Sequence, residues 1–297
     1  MTQFDPRLTP ARDDLAADFL RNHVKAQNYV AGVSKQVRPT GNEPAQGTIG
    51  PGYIKPCTPL LKYPRADAPR ETEFLYGEEV LVFEDSQGWS WVQSQRDDYV
   101  GYTPSQNLIP FQEKTTHSVS ALRTFVFSEP DIKSAPTALV SMNSPLKSLG
   151  EEGRFLKIKD GFIIADHVRE NGVYSRDFVD AAHQFLGTPY LWGGRTSLGL
   201  DCSALVQNGL ASAGVPVPRD TDMQEKSVGE EVGSELANAN LQRGDFIFWK
   251  GHVGIMLDEA DMIHANGTWM QVTINPVAEF AERVLAQSGP VTSIRRL

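Results

Sequence analysis

Hydrophobic and polar positions change their spacing several times along the chain, and each change predicts a different kind of element. Near the N-terminus, Thr9 can cap a helix with Pro10 in its first turn, and Leu15, Phe19 and Leu20 then fall on one face. From Pro39 to Pro59 that period disappears among Gly41, Pro44, Gly47, Gly50, Pro51, Gly52 and Pro56, the chemistry of an extended arm. Between Cys57 and Pro110 apolar residues come in short alternating runs: Val80-Leu81-Val82-Phe83, Gly88-Trp89-Ser90-Trp91-Val92 and Tyr99-Val100-Gly101-Tyr102. These predict strands. A weaker echo follows about 65 residues later, where Gly153 to Ile158 parallels the Trp89 run and Gly161 to Ala165 parallels the Tyr99 run. The expectation is two copies of one small β-barrel.

After Tyr174 the two periods mix. Ser175 is placed to cap a helix that carries Phe178, Ala182 and Phe185 on one face and stops at Gly187. Asp201 is placed to cap a second, from Cys202 to Ala213, ended by Gly214. Four β-rich runs follow: Asp245 to Trp249, Val253 to Leu257, Met262 to Ala265, and Met270 to Ile274. Helix, helix, then meander predicts an α+β domain. The expected division is 1–56 helix and arm, 57–112 first barrel, 113–172 second barrel, and 173–297 the α+β domain.

Composition narrows the function. The 297 residues carry 28 basic and 37 acidic side chains, a net charge of −9, so an electrostatic grip on nucleic acid is not expected. The stretch from Arg21 to Arg38 holds four basic residues and no acid, and reads as a solvated helix end or linker. Asp5, Asp13, Asp14 and Asp18 occupy the region where an export signal would be apolar, and no run approaches the length of a membrane span. The expected location is cytoplasmic, with no membrane partner. In that setting Cys57 and Cys202 are free thiols.

Cys202 follows a capping Asp, so its side chain falls in the first helical turn, where unpaired N–H groups and the helix dipole favour a thiolate. A nucleophilic thiol needs a base and a third group to fix the orientation of that base, and His252 and His264, on two later strands, can supply both if the strands pair. One thiolate and two imidazoles are also a possible zinc ligand set, although no Cys-x-x-Cys or His-x-x-x-His pair supports it. Taken singly, His23, His117, His167 and His183 read as incidental.

Six segments, in order, form a signature: Tyr190-Leu191-Trp192-Gly193-Gly194, Asp201-Cys202-Ser203, Pro218-Arg219, Arg243-Gly244-Asp245, His252-Val253-Gly254-Ile255 and Met262-Ile263-His264-Ala265. Together they resemble the NlpC/P60 cysteine peptidases, over about residues 174 to 285. The upstream strands resemble bacterial SH3-like modules, so the whole chain resembles the dipeptidyl-peptidase VI subgroup, which cuts γ-D-glutamyl-diamino acid bonds in cell-wall peptides. Ala204 and Met256 depart from the family pattern, where a glycine and an aromatic are usual, and these changes bear on substrate fit rather than on chemistry.

The resemblance implies a papain-like catalytic domain preceded by two SH3-like barrels. It implies Cys202 as nucleophile, His252 as general base, His264 as the orienting third member and the Tyr190 hydroxyl as an oxyanion donor beside the backbone N–H of Cys202. It implies substrate contacts from Asp201 and Ser203. A free L-alanine amino group would be held by Asp220 and Thr221, with Glu71 or Glu73 and Tyr99 or Tyr102 from the first barrel. No cofactor or metal is implied, and the expected partner is a murein peptide met during wall-peptide recycling. An amidase or acyl hydrolase acting on another substrate, and a non-catalytic wall-binding protein, are the alternatives.

Overall fold

The structure, a computed structural model, describes Asp5, residues 7–9, the backbone of 27–31, and residues 57–110 and 114–297. The helix expected after Thr9 and the Gly/Pro-rich arm as far as residue 56 lie outside the described residues. The chain divides into two compact units, Met1–Asn171 and Gly172–Leu297.

In the first unit, the strand Gln27–Ala31 joins Cys57–Leu61, Arg70–Leu75, Glu79–Ser86, Trp89–Ser94, Val100–Pro104 and Leu108–Pro110 in one sheet. Alternation puts Leu60, Phe74, Val80, Val82, Val92 and Tyr99 inside as a common core. A second core of Val119, Val126, Ala138, Val140, Leu146, Leu156, Ile158 and Ile163 lies between a five-stranded and a three-stranded sheet. The echo in the sequence corresponds to one shared hairpin-turn-strand motif, set in a seven-stranded sheet in the first module and across a five-stranded and a three-stranded sheet in the second. The hairpin Trp89–Ser94 with Val100–Pro104 runs into a 3-10 turn at Ser105–Asn107 and the strand Leu108–Pro110. Phe155–Ile158 with Gly161–Ile164 likewise runs into a turn at Ala165–His167 and the strand Val168–Glu170.

The two modules are joined at Tyr76 and Gly77. Tyr76 packs against the second core and its hydroxyl donates to the Asp160 carboxylate. Gly77 has φ +81°, and a Cβ there would stand 2.1 Å from the Pro145 carbonyl oxygen, so no side chain fits at that approach.

The second unit begins with α1 (Phe178–His183). Its cap is Asp177, which accepts from the Val179 N–H at 2.7 Å, and not Ser175, whose hydroxyl donates to the Asp177 carbonyl. The carboxylate reaches the first-turn donors that the sequence reading assigned to a residue two positions earlier. Next come α2 (Cys202–Ser212) and α3 (Thr221–Ser227), then β1 (Glu230–Gly233), β2 (Phe246–Trp249), β3 (His252–Met256), β4 (Asp261–Asn266) and β5 (Gln271–Pro276). The chain closes with α4 (Val277–Ser288) and β6 (Ser293–Arg296). The sheet order is β1-β6-β2-β3-β4-β5, with antiparallel neighbours.

Central strand β2 is buried on both faces, which is why it reads Phe-Ile-Phe-Trp without alternation. Ile247 and Trp249 pack with Val277, Phe280 and Val284 of α4. On the opposite face Phe246 stacks on Phe178 of α1, with ring centroids 5.4 Å apart. Nearly every residue of α2 is buried, so the helix that begins at Cys202 is a core element and its first turn is rigidly placed.

Candidate active site

Three elements carry the central side chains: the start of α2, β3 and β4. Asp201 Oδ1 accepts from the Ala204 N–H at 3.0 Å and caps α2. Cys202 is then the first residue of the helix, where its own N–H has no partner within the helix. Its Sγ lies 4.0 Å from the Gly251 carbonyl oxygen and 3.8 Å from the Thr221 hydroxyl, and the nearby Val253 N–H favours the thiolate form. Gly251 and Val253 flank His252, so the thiol faces the first residue of β3.

The expected pairing of the two histidine strands is present. Antiparallel register matches Ile255 with Ile263 and Met256 with Met262, which puts His252 and His264 on one face of the sheet. His252 Nε2 lies 2.9 Å from His264 Nδ1. His264 Nε2 in turn lies 3.1 Å from Asn275 Oδ1. With both nitrogens facing protein groups, His264 has no lone pair to turn toward a metal shared with Cys202, and the zinc reading has no geometry to rest on.

Aromatic rings hold the imidazoles in place. Phe280 of α4 meets His264 edge-on at 4.3 Å between centroids and lies 5.3 Å from His252, while Trp249 approaches His252 at 5.8 Å. That apolar surround sets the protonation states. Burial lowers His252 to about 3, with His264 adding to the effect, and burial lowers His264 to about 4. Burial, reinforced by the Asp201 charge, pushes the Cys202 thiol up to about 11, against the opposing pulls of Thr221, the Val253 N–H and Arg219. At rest the site is therefore a neutral thiol beside a neutral imidazole, and the thiolate that a helix start alone would favour is outweighed by desolvation.

Tyr190 is half-buried, and its segment is tied down by a hydrogen bond from its N–H to the Met270 carbonyl at 2.8 Å. Met270 itself sits at φ 53°, a left-handed conformation at the turn between β4 and β5. Burial raises the Tyr190 phenol well above its ordinary range, and the nearness of Cys202 and then Asp201 adds to this. The hydroxyl is thus a proton donor at any working pH, held within electrostatic reach of the Cys202 thiol.

Asp201 and Ser203, expected to touch substrate, are engaged inside the protein instead. The Asp201 carboxylate also accepts from the Gly193 N–H at 2.8 Å and from Arg219, at 2.9 Å and 2.6 Å. Ser203 donates to Asp201 and accepts from Arg219 at 2.7 Å. Arg219 is 1% exposed, so the Pro218-Arg219 segment is a buried clamp on the loop before α2. Close packing continues at Gly194, where a Cβ would stand 2.5 Å from the Gly199 carbonyl oxygen. The Arg243-Gly244-Asp245 segment is also scaffold: Arg243 pairs with Asp177 and Asp180, and the buried Asp245 pairs with Arg296.

Of the expected amine-binding set, Thr221 reaches the thiol and Asp220 is half-buried at the start of α3. Tyr99 is 3% exposed within the first module's core and cannot offer its ring to a ligand. Tyr102 is half-buried and packs on Trp91 at 4.8 Å. Glu73 is buried and paired with Arg70 at 2.5 Å, with the Cys57 thiol donating to it at 3.1 Å. Glu71 is half-buried on the strand Arg70–Leu75. Sequence reasoning missed Asn275, Thr273, Asn266 and Phe280; the one available signal was an apolar run carrying polar residues at alternate positions through β5.

Comparison with known proteins gives the arrangement a context. Residues 187–286 match the NlpC/P60 family, and residues 60–108 match the bacterial dipeptidyl-peptidase Sh3 domain. The chain is 25% identical over 245 residues to dipeptidyl-peptidase 6 of Lysinibacillus sphaericus, spanning 74% of this chain and 89% of that one. It is 26% identical over 240 residues to a gamma-D-glutamyl-L-lysine dipeptidyl-peptidase of Bacillus cereus, spanning 70% of each. Its fold is similar to the crystal structure of an NlpC/P60 family protein from Bacillus cereus, with a TM-score of 0.68, 20% identity, and coverage of 82% of this chain and 97% of that one.

Proposed function

We propose that this chain, a cysteine peptidase with an NlpC/P60 domain and a bacterial dipeptidyl-peptidase SH3 domain, hydrolyses the γ-D-glutamyl-diamino acid bond of free murein peptides that begin with L-alanine. The observation that carries the reading is the hydrogen bond between His252 and His264 beside a thiol at the start of a buried helix. The bond type comes from the Bacillus relatives, which are gamma-D-glutamyl-L-lysine dipeptidyl-peptidases.

The reaction follows from the neutral resting pair. As Cys202 Sγ attacks the γ-carbonyl carbon, its proton passes to His252 Nδ1, so no separated charges have to exist in the apolar site before substrate arrives. The new imidazolium shares its Nε2 proton with His264. The carbonyl oxygen becomes an oxyanion between the free N–H of Cys202 and the Tyr190 hydroxyl. Collapse breaks the C–N bond, and His252 returns the proton to the departing diamino acid amine. Water, deprotonated by the same nitrogen, then attacks the thioester and releases the γ-D-glutamyl product and the thiol.

The free amino group of L-alanine needs an anion close to the thiol. Asp220 is the candidate in the catalytic unit, because it immediately precedes Thr221, whose hydroxyl is 3.8 Å from Cys202 Sγ. Such an enzyme acts on released peptides in recycling and not on intact wall, and the location that suits it is the cytoplasm.

The deciding experiment incubates the pure protein with L-Ala-γ-D-Glu-diaminopimelate, its N-acetylated form and whole sacculi, with products followed by mass. Rapid release of diaminopimelate from the free peptide alone supports the reading. Cleavage of a different acyl bond would favour an amidase or other acyl hydrolase, binding without turnover would favour a wall-binding protein, and efficient cleavage of sacculi would count against the recycling role.

A further inference from the structure

Two linked imidazoles can share their proton in either direction, and only one direction leaves a lone pair for the thiol. The polar groups behind His264 set that direction, starting from a group whose polarity is fixed by covalent chemistry. The backbone N–H of Trp269 can only donate, and it donates to Asn266 Oδ1 at 3.0 Å. That fixes the amide of Asn266, whose Nδ2 therefore points at Thr273 Oγ1, 2.8 Å away, and donates to it. Having accepted that bond, the Thr273 hydroxyl turns its own proton to Asn275 Oδ1 at 2.7 Å. Asn275 thus presents oxygen to His264 Nε2 at 3.1 Å, and that nitrogen must carry the proton. His264 Nδ1 is then an acceptor, and His252 Nε2 must be the donor across the 2.9 Å between them. A neutral imidazole carries one proton, so His252 Nδ1 is left bare.

A close approach of Asn266 Nδ2 to His264 Nε2, at 3.3 Å, does not reverse the order. One amide hydrogen goes to Thr273, and once Nε2 carries the proton that its shorter contact with Asn275 Oδ1 calls for, the second has the carbonyl oxygens of Gln271 and His264 as acceptors, at 3.4 and 3.5 Å.

We propose that Asn275 is a positioning residue which, with its orientation relayed from the Trp269 N–H through Asn266 and Thr273, locks both histidines in the tautomer that makes His252 Nδ1 the base for Cys202. The proposal rests on the assignment of Cys202 and His252 above and is indifferent to which peptide is cut. Neither ring needs to titrate for the device to work, because it selects between two neutral forms.

The test is nitrogen-15 NMR of the histidine rings in the resting enzyme, together with the rate of Cys202 alkylation by iodoacetamide. Neither readout requires a substrate, so a wrong substrate assignment leaves both interpretable. The expected spectrum has protonated Nε2 and bare Nδ1 on both His252 and His264. Asn275→Leu should lose that uniformity, slow alkylation and lower kcat about ten- to a hundredfold, with KM unchanged within about twofold. Asn275→Asp, which can only accept, should keep the wild-type tautomer and most of the alkylation rate. Where Asn275→Leu does not fold, Thr273→Val cuts the relay one bond further out and should shift the spectrum in the same direction. A protonated Nδ1 on His264 in the wild type, or an alkylation rate unchanged in Asn275→Leu and Thr273→Val, would overturn the assignment.

Discussion

His252 and His264 are joined by one hydrogen bond, Nε2 to Nδ1 at 2.9 Å, across two adjacent antiparallel strands. The bond makes their roles unequal. In the proposed reaction His252, which sits between the two residues nearest the thiol, exchanges a proton with it, whereas His264 orients His252 and shares the charge that forms on it.

Unequal roles predict unequal losses. Cys202→Ala and His252→Asn should each reduce kcat by about four orders of magnitude or more, and His264→Gln should retain a measurable fraction, since an amide oxygen can still accept from His252 Nε2. Cys57→Ala, a change in the other unit where the thiol donates to Glu73, should leave kcat unchanged. Steady-state kinetics on the free peptide distinguishes these outcomes, and equal losses at positions 252 and 264 would contradict the assignment.

Acid should weaken the fold through the same pair. His264 is fully buried with its folded value near 4, below the roughly 6.5 of an unfolded histidine. Between these values the unfolded chain binds a proton that the folded chain refuses. The stabilisation is complete above about pH 6.5 and is lost as pH falls toward 4, with a slope of up to about 1.4 kcal/mol per pH unit for each such proton. Urea unfolding measured from pH 4.5 to 7.5 should show this slope, and His264→Gln should flatten it.

Two arginine pairs should differ widely in worth. Arg219 is buried and its removal strands the Asp201 carboxylate under α2, so Arg219→Met should destabilise by about 3–5 kcal/mol and displace Cys202. Arg243 is 42% exposed in its pairs with Asp177 and Asp180, so Arg243→Ala should cost under about 1 kcal/mol. Denaturant midpoints at constant pH compare the two directly.

Phe280 meets both imidazoles and is 4% exposed. Phe280→Ala should cost about 3–5 kcal/mol of stability. Because the ring also limits the tilt of His264, kcat should fall even at temperatures where the variant remains folded, which activity assays well below its melting point would reveal.

How legible these features were depended on whether the cause was local. Asp201 capping Cys202 is a matter of adjacent residues, and the strands at Trp89 and Phe155 announce themselves by alternation. The helix start at Phe178 was misassigned by two residues because Ser175 and Asp177 both have capping chemistry, and only the tertiary pairing of Asp177 with Arg243 makes the later one the better cap. Asp201 was read as a substrate contact because its nearness to Cys202 in sequence said nothing of Arg219, which approaches from 18 positions away. Tyr99 looked like a ligand group for a similar reason: an alternating strand does not disclose which of its faces is the core. Asn275 and Thr273 showed in the sequence only as alternate polar positions in an apolar run, since their role exists only once β5 lies beside β4.

The Tyr76 and Gly77 junction bears on how such chains are inherited. Residues 57–110, with the strand Gln27–Ala31 paired between Glu79–Ser86 and Leu108–Pro110, have the look of a portable cassette built around its own core. Yet a copy grafted elsewhere would leave the Tyr76 ring uncovered and its hydroxyl without Asp160, and would turn the bare backbone at Gly77 toward water. Recombination that kept both modules together would be tolerated, and recombination that cut between them would not. The pair is the unit on which shuffling can act.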